Sequence, residues 1–405
     1  MVDRADRTRR NVLRTTAGAA GFGVFAGCTT LDEPNGDDGS GNGDENGTEN
    51  GDENGTENGD EDGTENSDEN GTEESGSYSV SMEPVGTVEF DSVPETWFSY
   101  TADYADMGVA LGHGDGLSAI GIRNRYATHF YDELPDVSVE KEDLTELWQG
   151  STDREVFYSL NADLHLIDPN FMINRLDWNE EYIDDIETDI APFMGNTIFS
   201  GGYDWHDYTR YSLYEAFEKV ADVFQERDRY EAFTDLHDEV LSDVQSRRPE
   251  QSPDVAVLFP ESLPPEAFYP YTIGSGTQSK QWNDLNVGRA LAESDVDDFA
   301  ASRGTIDYET LLEVDPDIIA IRQDDGVHDA DFQSDIVEHM EDHPVASKLS
   351  AVQNGRVIDG GRIYQGPIIN LFQLEQAAQD VYPDEFGDEQ LFDRQRVSDI
   401  VNGNI

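Results

Sequence analysis

Two segments of the chain carry the same pattern. One reads Glu155-Val-Phe-Tyr-Ser-Leu-Asn-Ala-Asp163-Leu-His-Leu-Ile, the other Glu309-Thr-Leu-Leu-Glu-Val-Asp-Pro-Asp317-Ile-Ile-Ala-Ile. In each, a glutamate precedes a stretch of helical periodicity, a turn cluster follows, and an aspartate eight residues after the glutamate opens an apolar run. Acidic residues favour helix N-termini, and a short apolar run bounded by turn residues reads as a buried strand. Helix–turn–strand is a common unit. Two copies spaced across the chain nevertheless point to two pseudo-twofold α/β lobes.

The rest of residues 78–405 agrees with that class, because short apolar runs alternate with amphipathic stretches. Strands are predicted at 97–100, 119–122 and 164–167, and again at 255–259, 318–321 and 356–358. Helices are predicted at 102–111, 153–160 and 178–186, and at 282–292, 308–314 and 367–380. Between the halves, Tyr208–Arg248 forms the longest helical pattern. Leu213, Phe217, Val220 and Phe224, then Phe233, Leu236, Val240 and Val244, recur at three- and four-residue spacing. Gln225 to Arg229 is a point where it can bend or break, and Pro249 and Pro253 end it. The fold class expected is α/β: two Rossmann-like lobes joined by a long connecting helix, with a ligand cleft between them. The expected divisions are a signal at 1–28, a tether at 29–77, a lobe at 78–207, the connector at 208–248 and a second lobe at 249–405.

The N-terminal segment bears on location. Thr8-Arg9-Arg10-Asn11-Val12-Leu13 resembles a twin-arginine export signal, and a small-residue apolar stretch from Thr15 to Ala26 follows. That stretch is too short for a lasting membrane span. It ends at Phe25-Ala26-Gly27-Cys28, which resembles a lipoprotein processing site with Cys28 as the acylated residue. Cys28 is the only cysteine, so no intrachain disulfide is expected. From Thr29 to Ser77 the chain repeats acidic Asn-Gly-Thr units with almost nothing apolar. Such a composition cannot offset chain entropy by burial, and a tether is expected. Asn46, Asn54 and Asn70 open glycosylation sequons. Lipid anchoring on the outer face of the cell membrane follows from this reading.

The net charge is −63, from 25 Lys and Arg against 88 Asp and Glu. This excess argues against nucleic acid or an anionic membrane surface as partner. It continues through the folded region and looks like a halophile's surface, where salt screens self-repulsion. No single carboxylate is therefore functional merely for being acidic.

Several motifs stand in order along the chain: Leu111-Gly112-His-Gly-Asp-Gly-Leu-Ser-Ala-Ile-Gly121, Leu312-Glu-Val-Asp-Pro316-Asp317-Ile-Ile, His343-Pro344 through Leu349, Ala351-Val352-Gln-Asn354-Gly355-Arg356-Val357, and Tyr382-Pro383-Asp-Glu-Phe386. Together they resemble the substrate-binding lipoproteins of ABC importers for ferric siderophores, cobalamin and haem. The resemblance covers roughly 85–386. The first lobe departs from it with Asn161-Ala162-Asp163, where Pro-Asp is usual, and Pro94-Glu-Thr-Trp-Phe departs in the opening strand. The resemblance implies a monomer that captures a ferric-siderophore-type chelate, with cobalamin or haem in the same role as alternatives. It delivers the chelate to a permease and its ATPase. It also implies that Glu155 and Glu309, one per lobe, dock on permease arginines.

Ligands of two-lobed α/β proteins bind at the C-terminal ends of the strands. The loops expected there carry Arg123, Arg125, Tyr126 and His129, then 168–174, then Tyr203 and Trp205 in a Gly-hinged loop. In the second half they carry Tyr269 and Tyr271 in a Pro-rich loop at 261–271, then Arg322, Arg362 and Tyr364. Arginine with aromatic residues suits a bulky anionic chelate. The eight histidines are scattered, so no resident metal or cofactor is expected, although direct binding of iron, zinc or manganese stands as a further alternative. The sequence has no G-x-S-x-G elbow, H-E-x-x-H or P-loop, which disfavours an enzyme. An extracytoplasmic hydrolase and a sensory lobe remain the last alternatives.

Overall fold

The computed structural model describes residues 76–294, 296–325 and 329–405. The export signal, Cys28, the three sequons and nearly all of the tether lie outside the described residues. The described part opens with a hairpin of β1 (Tyr78–Met82) and β2 (Gly86–Phe90), absent from the expected elements. Its alternation buries Val80, Met82, Val88 and Phe90 on one face.

The first lobe holds a parallel sheet of β3 (Trp97–Ser99), β4 (Leu117–Ile120), β5 (Thr145–Glu146) and β6 (Leu164–Leu166), ordered β5-β4-β3-β6. The second holds β7 (Asp254–Pro260), β8 (Ala267–Tyr271), β9 (Gly288–Arg289), β10 (Ile306–Asp307), β11 (Ile318–Ile321) and β12 (Val357–Asp359). There β7, β11 and β12 run parallel, β8 pairs antiparallel with β7, and β10 closes the edge against β8. The expected Pro-rich loop thus contains a strand. Its prolines do not prevent this, because Pro270 needs no ladder N–H at its position on β8. The helix expected at 282–292 is only Lys280–Asp284 and gives way to β9.

The two matched segments fold alike. Helices Arg154–Leu160 and Tyr308–Val314 are each capped by an aspartate, with Asp153 accepting from Glu155 N–H at 3.0 Å and Asp307 from Thr310 N–H at 2.9 Å. Both stop on a left-handed residue, Asn161 (φ 46°) and Asp315 (φ 44°), the non-glycine types that best tolerate that region. Asp163 then accepts from Thr96 N–H at 2.9 Å, and Asp317 from Asp254 N–H at 3.0 Å. Each aspartate pins its strand to the start of the neighbouring parallel strand, β6 to β3 and β11 to β7.

The connector is two helices, not one. Leu213–Phe224 begins with a Ser212/Glu215 capping box and ends at Gln225, which is left-handed at φ 58°. Arg227–Arg247 then runs on to the second lobe. Ring contacts of Tyr214 with His237 (4.5 Å), and of Phe217 with Tyr230 (5.5 Å) and Phe233 (6.0 Å), show the two helices folded back as an antiparallel hairpin. The second helix alone spans about 30 Å at the usual helical rise.

One apolar core crosses both lobes. It includes Trp97, Phe98 and Leu164 of the first sheet and, on alternate positions, Val255, Val257, Ile318 and Ala320 of the second. The intervening Ala256, Leu258, Ile319 and Ile321 face a separate core. Helix Pro367–Val381 carries the shared core into the first lobe. There the fully buried Asp106 accepts from Ile368 N–H (2.9 Å), Ile369 N–H (3.0 Å) and Tyr131 O–H (2.7 Å). Backbone bonds from Thr277 to Ile198 (2.9 Å) and from Gln278 to Phe199 (3.2 Å) stitch the lobes a second time.

His165 is an exception inside this core. Its ring is enclosed by Phe98, Phe157 and Phe193 at 4.7, 5.3 and 4.9 Å, and neither nitrogen has a partner among the described residues. Burial pushes it down to about 3, and burial likewise pushes His237 down to about 4. Both therefore fold neutral, and a depressed pKa gives stability that is present above pH 6.5 and lost as pH falls toward those values. His165→Leu should flatten the fall of the thermal midpoint between pH 6.5 and 4. An unchanged slope would show that His165 does not limit acid stability.

Candidate functional site

The loops after the strand ends bring a ring of aromatic side chains together between the lobes. From the first lobe, Phe171, Phe199 and Tyr203 meet edge to face, with Phe199–Tyr203 at 5.8 Å and Phe171–Tyr203 at 6.4 Å. Trp205 stacks on Tyr203 at 5.0 Å and 20°. Tyr364 of the second lobe packs its edge on Phe199 at 5.0 Å. Further along that lobe, Phe299 gathers Tyr269 (4.7 Å) and Tyr271 (5.8 Å). Asp298 sets this position by accepting from Thr272 N–H and O–H, both at 2.8 Å, and from Ala300 N–H at 2.8 Å.

Arginines thread this ring. Arg175 lies over Tyr203 at 5.1 Å, and Arg303 lies over Phe299 at 5.1 Å. They stand on opposite lobes and feel one another: partial burial, then the charge of Arg175, holds the Arg303 guanidinium below its ordinary range. Arg125 faces Tyr364 and Tyr271, with Asp324 no closer than 3.9 Å. Beneath Tyr271, at 4.8 Å, lies Arg322, with no exposed surface. It donates to the Gln278 side chain at 3.0 Å and to the Gln278 carbonyl, and burial pushes it down to about 10. Burial also raises Tyr203, Tyr271 and Tyr364, so all three are neutral phenols.

These cations contrast with their fellows. Arg154 pairs with Asp185 at 3.1 Å, Arg227 with Glu218 at 2.8 Å, Arg394 with Glu375 at 2.5 Å and Arg396 with Glu239 at 2.5 Å. Arg175, Arg303 and Arg322 have no carboxylate within 4.0 Å among the described residues. In a chain with 88 acidic residues, a cluster of arginines with no acid partner within 4.0 Å stands out as cationic. It can take an anion and cover the anion's apolar parts with rings.

The expected site residues divide accordingly. Tyr203, Trp205, Tyr269, Tyr271, Arg322 and Tyr364 are drawn together. Arg123 is not among them: it donates to Glu142 at 3.2 Å and to the Leu144 carbonyl at 2.8 Å, clamping its own lobe. Nor is Tyr126, which is fully buried and hydrogen-bonded to Tyr131 at 3.0 Å, one step from Asp106. Arg362 is buried and shares Asp359 at 3.2 Å, so its charge is already matched. Arg175, Phe299 and Arg303 join the cluster without being singled out by the sequence pattern. Arg175 is the residue after the loop read as 168–174, and Arg303 precedes Gly304 in an otherwise anionic stretch. An isolated arginine beside a turn in so acidic a chain was the available signal. Glu155 and Glu309 are both exposed in the first turns of their matched helices.

Among the described residues no group of His, Cys, Asp and Glu is placed to hold a metal ion, and no helix is long and apolar enough to cross a membrane.

Residues 167–364 match the periplasmic binding protein family. That span runs from the end of β6 to Tyr364 and so includes most of the arginine–aromatic ring. Solved structures share the fold at low identity. An iron uptake ABC transporter substrate-binding protein from Streptococcus pneumoniae superposes with TM-score 0.53 at 14% identity, over 75% of this chain and 98% of its own. The heme binding protein HmuT gives 0.52 at 15%, over 75% and 89%. The petrobactin-binding protein YclQ from Bacillus subtilis gives 0.52 at 14%, over 78% and 100%. No curated protein matches by sequence. The fold of the periplasmic binding protein type, mixed α/β with parallel sheets in two lobes, is thereby shown.

Arginines with no acid partner should matter little to folding. Arg175→Gln should change stability by no more than about 0.5 kcal/mol, the usual range for a surface change that breaks no pair. Arg394→Gln strands the largely buried Glu375 and should cost about 3–5 kcal/mol. Denaturant titration of both variants checks this; equal losses would mean that Arg175 is structural.

Proposed function

We propose that this chain is the extracytoplasmic substrate-binding component of an ABC importer, and that it captures an anionic iron(III) chelate between its lobes. The observation that carries the reading is the cross-lobe ring of Arg125, Arg175, Arg303 and Arg322 with Tyr203, Tyr271 and Tyr364, in which only Arg125 has a carboxylate within 4.0 Å, Asp324 at 3.9 Å, among the described residues. Carboxylate or catecholate oxygens would pair with the guanidinium groups. Trp205, Tyr203, Tyr269 and Phe299 would cover the chelate's apolar faces. The family match and the names of the similar structures support a solute-binding role rather than catalysis.

A planar macrocycle such as haem is the second reading. The near-parallel stack of Tyr203, Trp205 and His206, with interplanar angles of 20° and 10°, favours it by offering a flat face. The two readings separate in a titration followed by Trp205 fluorescence. A ferric tris-catecholate should quench it, with one bound per chain. Arg175→Gln and Arg303→Gln should each weaken binding by tens to thousands of fold, the usual effect of removing one partner of a desolvated charge pair, about 2–5 kcal/mol. Haem bound tightly, with catecholate unbound, would select the second reading; tight binding of free zinc and of no chelate would refute both.

In this role the chain, lipid-anchored through Cys28 after twin-arginine export, would dock by Glu155 and Glu309 on arginines of the permease. The equivalent helical positions and exposure of the two glutamates support that assignment. Glu155→Arg with Glu309→Arg should leave chelate affinity intact and abolish cellular uptake, since like charges at an interface cost several kcal/mol. Uptake at the original rate would remove the glutamates from the docking surface.

A further inference from the structure

We infer that His129, Lys141 and Asp325 form an ionic latch that holds the rim of the cleft shut and sets how fast a ligand leaves. Asp325 follows β11 in the second lobe, whereas His129 and Lys141 belong to the first. One carboxylate oxygen of Asp325 meets His129 Nδ1 and the other meets Lys141 Nζ. The Asp325 N–H donates to the Asn124 carbonyl at 2.6 Å, so the backbone crosses the same gap. The Asp325 side chain is only 5% exposed and Lys141 only 17%, whereas most ion pairs of this molecule are open to water. Burial of that degree weakens salt screening and makes the pair worth more than a surface bridge.

Asp324, beside Asp325, faces Arg125 and Arg362, and the Arg123–Glu142 pair, next to Lys141, is satisfied within the first lobe. The latch stands beside the looser Arg125–Asp324 contact, 3.9 Å across the same gap, and is the more buried of the two. Inside the rim, Arg175 and Arg303 bring like charges from opposite lobes, and partial burial together with the charge of Arg175 holds Arg303 below its ordinary range.

The test has two readouts, only one of which rests on the proposed ligand class. In a Cys28→Ser background, spin labels at Asp132→Cys and Ser302→Cys report the rim distance without ligand. Asp325→Asn should broaden that distance distribution toward longer values. Dissociation of a ferric tris-catecholate should quicken about tenfold in Asp325→Asn and in Lys141→Gln, with the double variant no faster than either single one. An unchanged distance distribution overturns the latch, whatever binds in the cleft. Multiplied rather than shared rate effects also overturn it, by showing that Lys141 and Asp325 act separately. Should the catecholate fail to bind the unsubstituted chain, the distance measurement still decides.

Discussion

Asp106 fixes where the cleft walls stand. It lies in the first lobe, yet two of its three hydrogen bonds come from the opening turn of helix 367–381. The first N–H groups of a helix have no intrahelical partner, and a carboxylate there satisfies them and meets the positive end of the helix dipole. Burial works against the charge and pushes this carboxyl up to about 7, while the bonds from Ile369, Tyr131 and Ile368 pull it back. The seat is therefore specific: a side chain with no acceptor oxygen at position 106 would leave those N–H groups buried and unmatched. Helix 367–381 continues directly from Tyr364, so the seat also positions one wall of the aromatic ring.

With that wall fixed, one apolar core spans both lobes, and the 227–247 helix runs beside it. Acids cover the exterior, where water and salt screen them, and cations without acid partners line the interior. The same imbalance that makes most carboxylates uninformative makes an unpaired arginine informative.

Much of the fold was legible because it rests on local patterns. The 155–167 and 309–321 segments read alike and fold alike, down to the left-handed stop at Asn161 and Asp315. Strand β11 and helix 308–314 fall where periodicity put them. The failures have physical causes. Apolar spacing continues across Gln225, but a single left-handed residue reverses the chain and turns one rod into a hairpin. The β1–β2 alternation runs for only five residues in each strand and abuts the low-complexity tether, so it offers little periodic signal. Loop position points to Tyr203, Trp205, Tyr271 and Tyr364, which the fold brings together between the lobes. It could not tell Arg125 from Arg123, two residues apart, because the difference lies in whether Glu142 or Tyr364 is within reach. Pairing across lobes is a tertiary fact that no local pattern carries.

The most direct measurement is native mass spectrometry of the chain purified from its own membranes, with the ligand retained and its mass and charge read after release. An anionic, metal-bearing chelate at one per chain, lost from the Arg175→Gln/Arg303→Gln variant while the fold persists, is the result predicted here. A neutral ligand, or a chelate retained in full by that variant, would contradict the assignment of the arginine ring as the capture site.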